Sequence, residues 1–137
     1  MNAELHPVLS VKARIIAVKT ILAGEAVGYG SAFVAPDDKS IAVLSIGYAD
    51  GIPRLLSCGV GNILINGHFA PIIGCICMDM ITVDITNIEN VNQGDIAIII
   101  GEDGDNEITV LDLAEQAETI PNEILSRLGS RLERYHA

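Results

Sequence analysis

A mainly β fold, a closed or nearly closed β-barrel with two short helices near the C-terminus, is what this 137-residue chain predicts. Three observations carry the prediction. The apolar half of the chain is almost wholly aliphatic, with two Phe, three Tyr and no Trp, and Ile/Val richness favours strands. Short apolar runs recur between turns supplied by 13 Gly and 5 Pro. Helical spacing begins only at Thr109. The length corresponds to a single domain, 1–137, with enough chain to bury a core without disulfides or metal.

From Val8 to Ile21 apolar and polar residues alternate: Leu9, Val11, Ala13 and Ile15 against Ser10, Lys12 and Arg14. This is a half-buried strand, breaking near Ala23-Gly24. Val27-Gly28-Tyr29-Gly30-Ser31 then holds a tyrosine between two glycines, which permit a sharp bend. Taken alone, the triplet fits an aromatic covering a sheet edge as well as one presented outward. Pro36-Asp37-Asp38-Lys39 is a polar turn, with Lys39 read as a solvated surface residue. Ser40 to Ile46 is a buried strand.

That strand ends at Gly47-Tyr48-Ala49-Asp50-Gly51-Ile52-Pro53-Arg54. A tyrosine, a carboxylate and an arginine on a Gly-rich loop are placed where binding chemistry tends to sit. Asn62–Ile65 and Phe69–Ile73 pair across Asn66-Gly67, the preferred two-residue type I′ turn. Cys75-Ile76-Cys77-Met78-Asp79-Met80 precedes a strand from Ile81 to Ile85, with a bulge or kink at the methionines. Ile96–Ile100 is an apolar strand, and Gly101–Glu107 is a solvated hairpin or connection whose carboxylates lack the spacing of a calcium loop. Thr109 caps a helix over Val110–Ala117, with Asp112 completing a capping box and Leu111, Ala114 and Ala117 forming its stripe. A second helix starts at Thr119-Ile120-Pro121 and stops at Gly129.

Charge and cysteines narrow the classes. A net charge of −10 argues against nucleic acid or anionic membrane as a partner. Cys58, Cys75 and Cys77 cannot all pair internally and lack the paired spacing of a zinc site. They read as buried or semi-buried free thiols in a reducing compartment, Cys75 and Cys77 sharing one face of a strand. His6, His68 and His136 have no partner pattern and read as surface or turn residues. In isolation Tyr48 reads as an interface aromatic, Asp79 as a turn former, Met78 and Met80 as core filler and Arg54 as a surface charge.

Taken in order, the segments resemble one family, the C-terminal β-domain of alanine racemase. The matching motifs are Val27-Gly28-Tyr29-Gly30, Ile46-Gly47-Tyr48-Ala49-Asp50-Gly51 and Gly74-Cys75-Ile76-Cys77-Met78-Asp79. Val91-Asn92-Gln93-Gly94-Asp95 and Leu125-Ser126-Arg127-Leu128-Gly129-Ser130-Arg131 extend the match across nearly the whole chain. The wording is also similar to the racemase domain of the serine/alanine racemases of vancomycin resistance.

The resemblance implies a pyridoxal-phosphate enzyme that interconverts L- and D-alanine or serine for cell-wall precursors. It implies a head-to-tail homodimer in which this domain closes the active site of the partner subunit's N-terminal barrel. The cofactor would sit in that barrel on a Schiff-base lysine; Lys12, Lys19 and Lys39 match no such motif. The cofactor ring acts as the electron sink, and two bases work on opposite faces of the substrate. By motif Tyr29 is the second base. Met78 would border the substrate carboxylate, while Tyr48, Asp79 and Arg54 would line the substrate corridor. No residue is assigned to the cofactor or to a metal.

Two positions depart from the pattern. Cys75 stands where relatives often carry a basic residue, and Ser130 where some place a tyrosine reaching the cofactor phosphate. The implied parent is cytoplasmic, or a membrane-anchored racemase of which this is a cytoplasmic domain. The isolated chain is expected to be inactive. The rival readings are a non-catalytic β-barrel binding module and a dimerisation module. A binding module predicts a basic or aromatic face, which an acidic chain with five aromatic residues lacks.

Overall fold

The computed structural model describes residues 9–27, 33–129 and 132. Tyr29 and Ser130 therefore lie outside the described residues. The architecture is organised on β1 (Val11–Ile21), in which Val11, Ala13 and Ile15 are buried while Lys12 and Arg14 are exposed. This is the alternation the sequence predicts.

Two sheet halves share this strand. Its first residues pair antiparallel with β8 (Ile96–Asp103), matching Ala13 with Ala97. Its later residues pair with β4 (Lys39–Leu44), matching Ile21 with Lys39. The change of partner falls at the fully buried Ile15, whose N–H and carbonyl bond Asp95 and Gly94. With β5 (Asn62–Ile65), β6 (His68–Pro71) and β7 (Ile81–Asp84), the order is β6-β5-β8-β1-β4-β7. The short β9 (Asn106–Ile108) adds to β8. β2 (Ala26–Val27) and β3 (Phe33–Val34) form a separate ribbon.

Mainly β with two helices is thus the observed class, but the sheet is not closed by hydrogen-bonded strands. Its ends, β6 and β7, meet only where Ile72 bridges Val83 and the Ile73 N–H donates to the Thr82 carbonyl at 3.0 Å. The chain after β6 leaves the sheet at Gly74, whose φ of 66° a residue with a Cβ rarely adopts. The main core is aliphatic, built from residues such as Ile15, Leu44, Leu64, Ile81 and Ile99. A smaller cluster of Ile21, Ala35, Ile41 and Ile73 holds Val27 and Phe33 at the foot of the β2–β3 ribbon.

Local chemistry accounts for the turns. Asn66 and Gly67 have φ of 50° and 79°, the two positive values of a type I′ hairpin. The acidic run after Gly101 is the β8–β9 hairpin, and its polar groups are not all solvated. Asp103 accepts the Gly67 N–H at 2.9 Å, and the Asn106 amide donates to the Gly67 carbonyl at 2.7 Å. One hairpin tip is thereby fastened to the other.

Lys39 departs from its reading as a solvated residue. Its side chain is 19% exposed and its ammonium sits 3.2 Å from Asp84 and 3.5 Å from Asp37. Register explains this, because the start of β4 lies opposite the end of β7. Partial burial pushes the Asp84 carboxyl up, but the hydroxyl and backbone bonds from Thr86 and the Lys39 charge outweigh it, leaving it below its ordinary value. A depressed folded-state pKa stabilises above the unfolded value and loses that contribution as pH falls through the folded one. Asp84→Asn is therefore expected to destabilise the fold at neutral pH and to make stability less acid-sensitive below about pH 4. Urea unfolding at several pH values checks this; equal acid sensitivity in both proteins would refute it.

Two helices close the described chain. α1 (Val110–Gln116) starts at the expected box: Thr109 Oγ1 accepts the Asp112 N–H and Asp112 accepts the Thr109 N–H. Its buried stripe is Leu113, Ala114 and Ala117, whereas Leu111 is 54% exposed. At about 100° per residue Leu111 lies about 200° from Leu113, so only one of the two faces the core. α2 (Pro121–Arg127) has Pro at its first position and buries Ile124 against the core.

Candidate functional site at the Tyr48 and Met78 loops

The loop that leaves β4 is shaped before any ligand need be considered. Ile46 is buried, and the Gly47 N–H donates to Asp50 Oδ2 at 3.0 Å, closing a 3₁₀ turn over Tyr48–Asp50. Gly51, at φ 102°, ends that turn by donating to the Tyr48 carbonyl. Pro53 introduces a second 3₁₀ turn, Arg54–Leu56, anchored by the buried Leu56. Tyr48 and Arg54 are thus carried on successive turns, with the guanidinium carbon 5.5 Å from the phenol ring centroid, a cation–π contact.

A second loop is zipped to the first. The Tyr48 and Ala49 N–H groups donate to the Cys77 and Met78 carbonyls, each at 3.0 Å. The Cys77 N–H donates to the Met80 carbonyl, so Met78 and Asp79 ride a turn. The kink read at the methionines is therefore present, and Met78, Asp79 and Met80 are all exposed rather than core filler. Gly47 allows the approach: a Cβ there would overlap the carbonyl oxygens of Cys77 and Met78. On the other side, a Cβ on Gly51 would overlap the Arg127 carbonyl at the end of α2. The Gly129 N–H donates to the Asp50 carbonyl at 2.9 Å. Gly129 thus follows the helix as expected, but as a close neighbour of Ala49 and Asp50 rather than a left-handed terminator.

Four of the five residues singled out from sequence, Tyr48, Arg54, Met78 and Asp79, are brought to one edge of the domain. The fifth, Tyr29, is outside the described residues, but the strand before it is placed. Val27 O lies 2.9 Å from where a Gly74 Cβ would be, three residues before Cys77. The carboxylate of the Tyr48 loop is a different matter. Asp50 is 4% exposed and spends an oxygen on its own turn, so it shapes the loop instead of facing a ligand. In sequence this carboxylate reads as one of the binding groups of the loop; with Gly rather than Ser or Thr at position 47, only the Asp50 half of a capping box is present.

Sequence reasoning missed the opposite wall. Tyr48, Pro53, Arg54 and Leu55 face Thr119, Glu123 and Arg127 across an open cleft of ≈ 530 Å³. Arg127 is paired with Glu123 at 3.2 Å, and Thr119 donates to the same carboxylate at 2.7 Å. A phenol and a guanidinium at one lip suit a small molecule or surface bearing a carboxylate. The thiols differ from expectation too. Cys58 is exposed, and Cys75 and Cys77 flank the buried Ile76 on an irregular segment rather than on a strand.

Fold and site together define a small β-domain whose polar loops gather at one edge. The family model for the alanine racemase C-terminal domain matches residues 8–136, and the chain belongs to that family. It is 50% identical over 132 residues to an amino-acid racemase of Enterococcus faecalis, covering 96% of this chain and 19% of that protein. An alanine racemase of Halothermothrix orenii is 43% identical over 97% of this chain and 35% of its own length. Among solved structures, alanine racemase from E. faecalis superimposes with TM-score 0.88 at 35% identity, covering 95% of this chain and 34% of that one. The Bartonella henselae alanine racemase, solved with covalently bound pyridoxal phosphate, gives 0.85 at 39% identity over 92% and 34%. This chain therefore spans a fifth to a third of the length of these relatives.

The donor set at the edge does not by itself fit that cofactor. It offers a phenol, a guanidinium, a thioether and a carboxylate, but no amine for a Schiff base. Lys12 and Lys19 are exposed residues of β1, and Lys39 is committed to Asp84 and Asp37. Among the described residues no helix is long and apolar enough to cross a membrane.

Proposed function

We propose that this chain is the C-terminal domain of a pyridoxal-phosphate-dependent amino-acid racemase and completes an active site whose cofactor is held elsewhere. The carrying observation is family membership over residues 8–136, joined to an edge site that groups Tyr48, Arg54, Met78 and Asp79. In this reading Tyr29 accepts and returns the substrate α-proton on the face opposite the cofactor lysine. A phenol titrates near pH 10, so neighbours outside this chain must lower its proton affinity. Met78 borders the substrate carboxylate, and Tyr48, Arg54 and Asp79 form the corridor through which a small amino acid arrives.

The edge position of these groups supports a site shared with a barrel domain, in a head-to-tail dimer where each subunit's β-domain serves the other. The Enterococcus relative matches over only 19% of its length, against 35% for the Halothermothrix enzyme. That difference supports a parent with additional domains; in this reading the racemase portion is cytoplasmic, in either a soluble or a membrane-anchored parent. Alanine and serine are both candidate substrates, supplied in the D-form to peptidoglycan precursors.

The test uses the chain and its parent side by side. The isolated 137-residue chain is expected to show no turnover of L-alanine or L-serine and to lose added pyridoxal phosphate on desalting. The intact protein is expected to racemise at least one of them. Turnover by the chain alone, or none by the cofactor-loaded intact protein with either substrate, would overturn the proposal. In the intact enzyme, Arg54→Ala is expected to raise KM several-fold with a smaller change in kcat, as removal of a corridor contact should.

A further inference from the structure

Two cysteines are left over from the site, and the backbone places them side by side. Residues 57–59 run against 72–76: the Cys58 N–H donates to the Gly74 carbonyl at 2.9 Å, and Gly59 donates to the Ile72 carbonyl at 2.7 Å. The Ile76 N–H donates to Ser57 Oγ at 2.8 Å. Cys75 is therefore held between two bonded positions, Gly74 and Ile76, both facing the segment that carries Cys58. Covalent geometry across the Cys58–Gly74 bond keeps the two α-carbons within roughly 7 Å, the span a disulfide bridges. Cys58 is exposed and Cys75 half-buried, so a reagent in solution reaches the Cys58 thiol more readily. The Cys77 thiol is engaged separately, donating to the Cys75 carbonyl at 3.6 Å.

We propose that Cys58 and Cys75 form an oxidisable thiol pair, a modification site for low-molecular-weight disulfides at the base of the loop that carries Met78. The Cys58 thiolate attacks one sulfur of the disulfide, releasing one thiol and leaving a mixed disulfide. The Cys75 thiolate then displaces the second thiol from the Cys58 sulfur. Each cysteine gives up one proton, the protein loses two electrons, and the reagent is reduced to two thiols.

The intact protein is incubated with oxidised glutathione, its remaining thiols are alkylated, and its peptides are mapped without reduction. A Cys58–Cys75 cross-linked peptide is expected, together with alkylated Cys77 and full reversal by dithiothreitol. Cys58→Ser should abolish the cross-link, and should that variant not fold, the wild-type map still decides. Overturning results are glutathione retained on Cys58 with Cys75 alkylated, a Cys75–Cys77 link, or both thiols alkylated throughout. Because the readout is a peptide, failure here leaves the racemase proposal standing, and failure of that proposal leaves this one testable.

Discussion

Replacing Tyr29 with phenylalanine in the intact protein is expected to lower racemisation by about 100- to 10,000-fold, the usual contribution of a positioned acid or base. The substitution removes one oxygen and keeps the ring, the smallest change that takes the hydroxyl away. In the proposed two-base reading the asymmetry appears in solvent exchange, because kcat/KM for interconverting enantiomers is equal in both directions. The enantiomer whose α-proton Tyr29 removes should lose exchange with solvent deuterium, while the other enantiomer keeps exchanging through the remaining base. Small losses, with solvent exchange retained for both enantiomers, would mean that the domain serves assembly rather than proton transfer. Thermal unfolding of the variant, expected to match wild type, separates the two cases.

The second large effect is on folding, at Gly47 and Gly51. The backbone at Gly47 is extended, so its requirement is space: any Cβ meets the Cys77 and Met78 carbonyls that accept from Tyr48 and Ala49. Relief of that overlap means parting the two loops. At Gly51 a left-handed φ of 102° adds to the overlap with Arg127. Each alanine substitution is expected to cost roughly 3 kcal/mol or more, the upper range of overpacking. Gly24→Ala provides the control. Gly24 also has a positive φ of 90°, but no atom lies within 4 Å of its Cβ position, so only about 1 kcal/mol is expected from backbone strain. Urea midpoints compare the three; a Gly47→Ala domain as stable as the control would refute the close-packing account.

Features encoded within a few residues were legible in the sequence. The Asn66-Gly67 turn, the Thr109–Asp112 box and the alternation from Val11 to Ile15 each depend on neighbours in the chain, and each is found. What was misread depends on partners far away. Lys39 is covered because β7 ends beside it, and Asp50 is buried because α2 arrives with Gly129. Leu111 and Leu113 are equally apolar, so composition could not choose the inward one, whereas the facing core does. Barrel closure is the same kind of property, set by how far β6 and β7 curl toward each other. Motif order singled out Tyr48, Arg54, Met78 and Asp79, which the fold groups at one edge, but not the α2 wall of the cleft, because nothing near Tyr48 in the chain announces Glu123 or Arg127.

The partner change along β1 has a consequence for biosynthesis. Residues 15–21 find β4 soon after emerging, but residues 11–14 must wait for residues 96–100. Until then the first four residues of the strand, Val11 to Arg14, have bare amides and carbonyls, a template for pairing with a neighbouring chain. Truncation anywhere before Ile96 should therefore yield insoluble material, and refolding should be paced by this distant closure rather than by the hairpins.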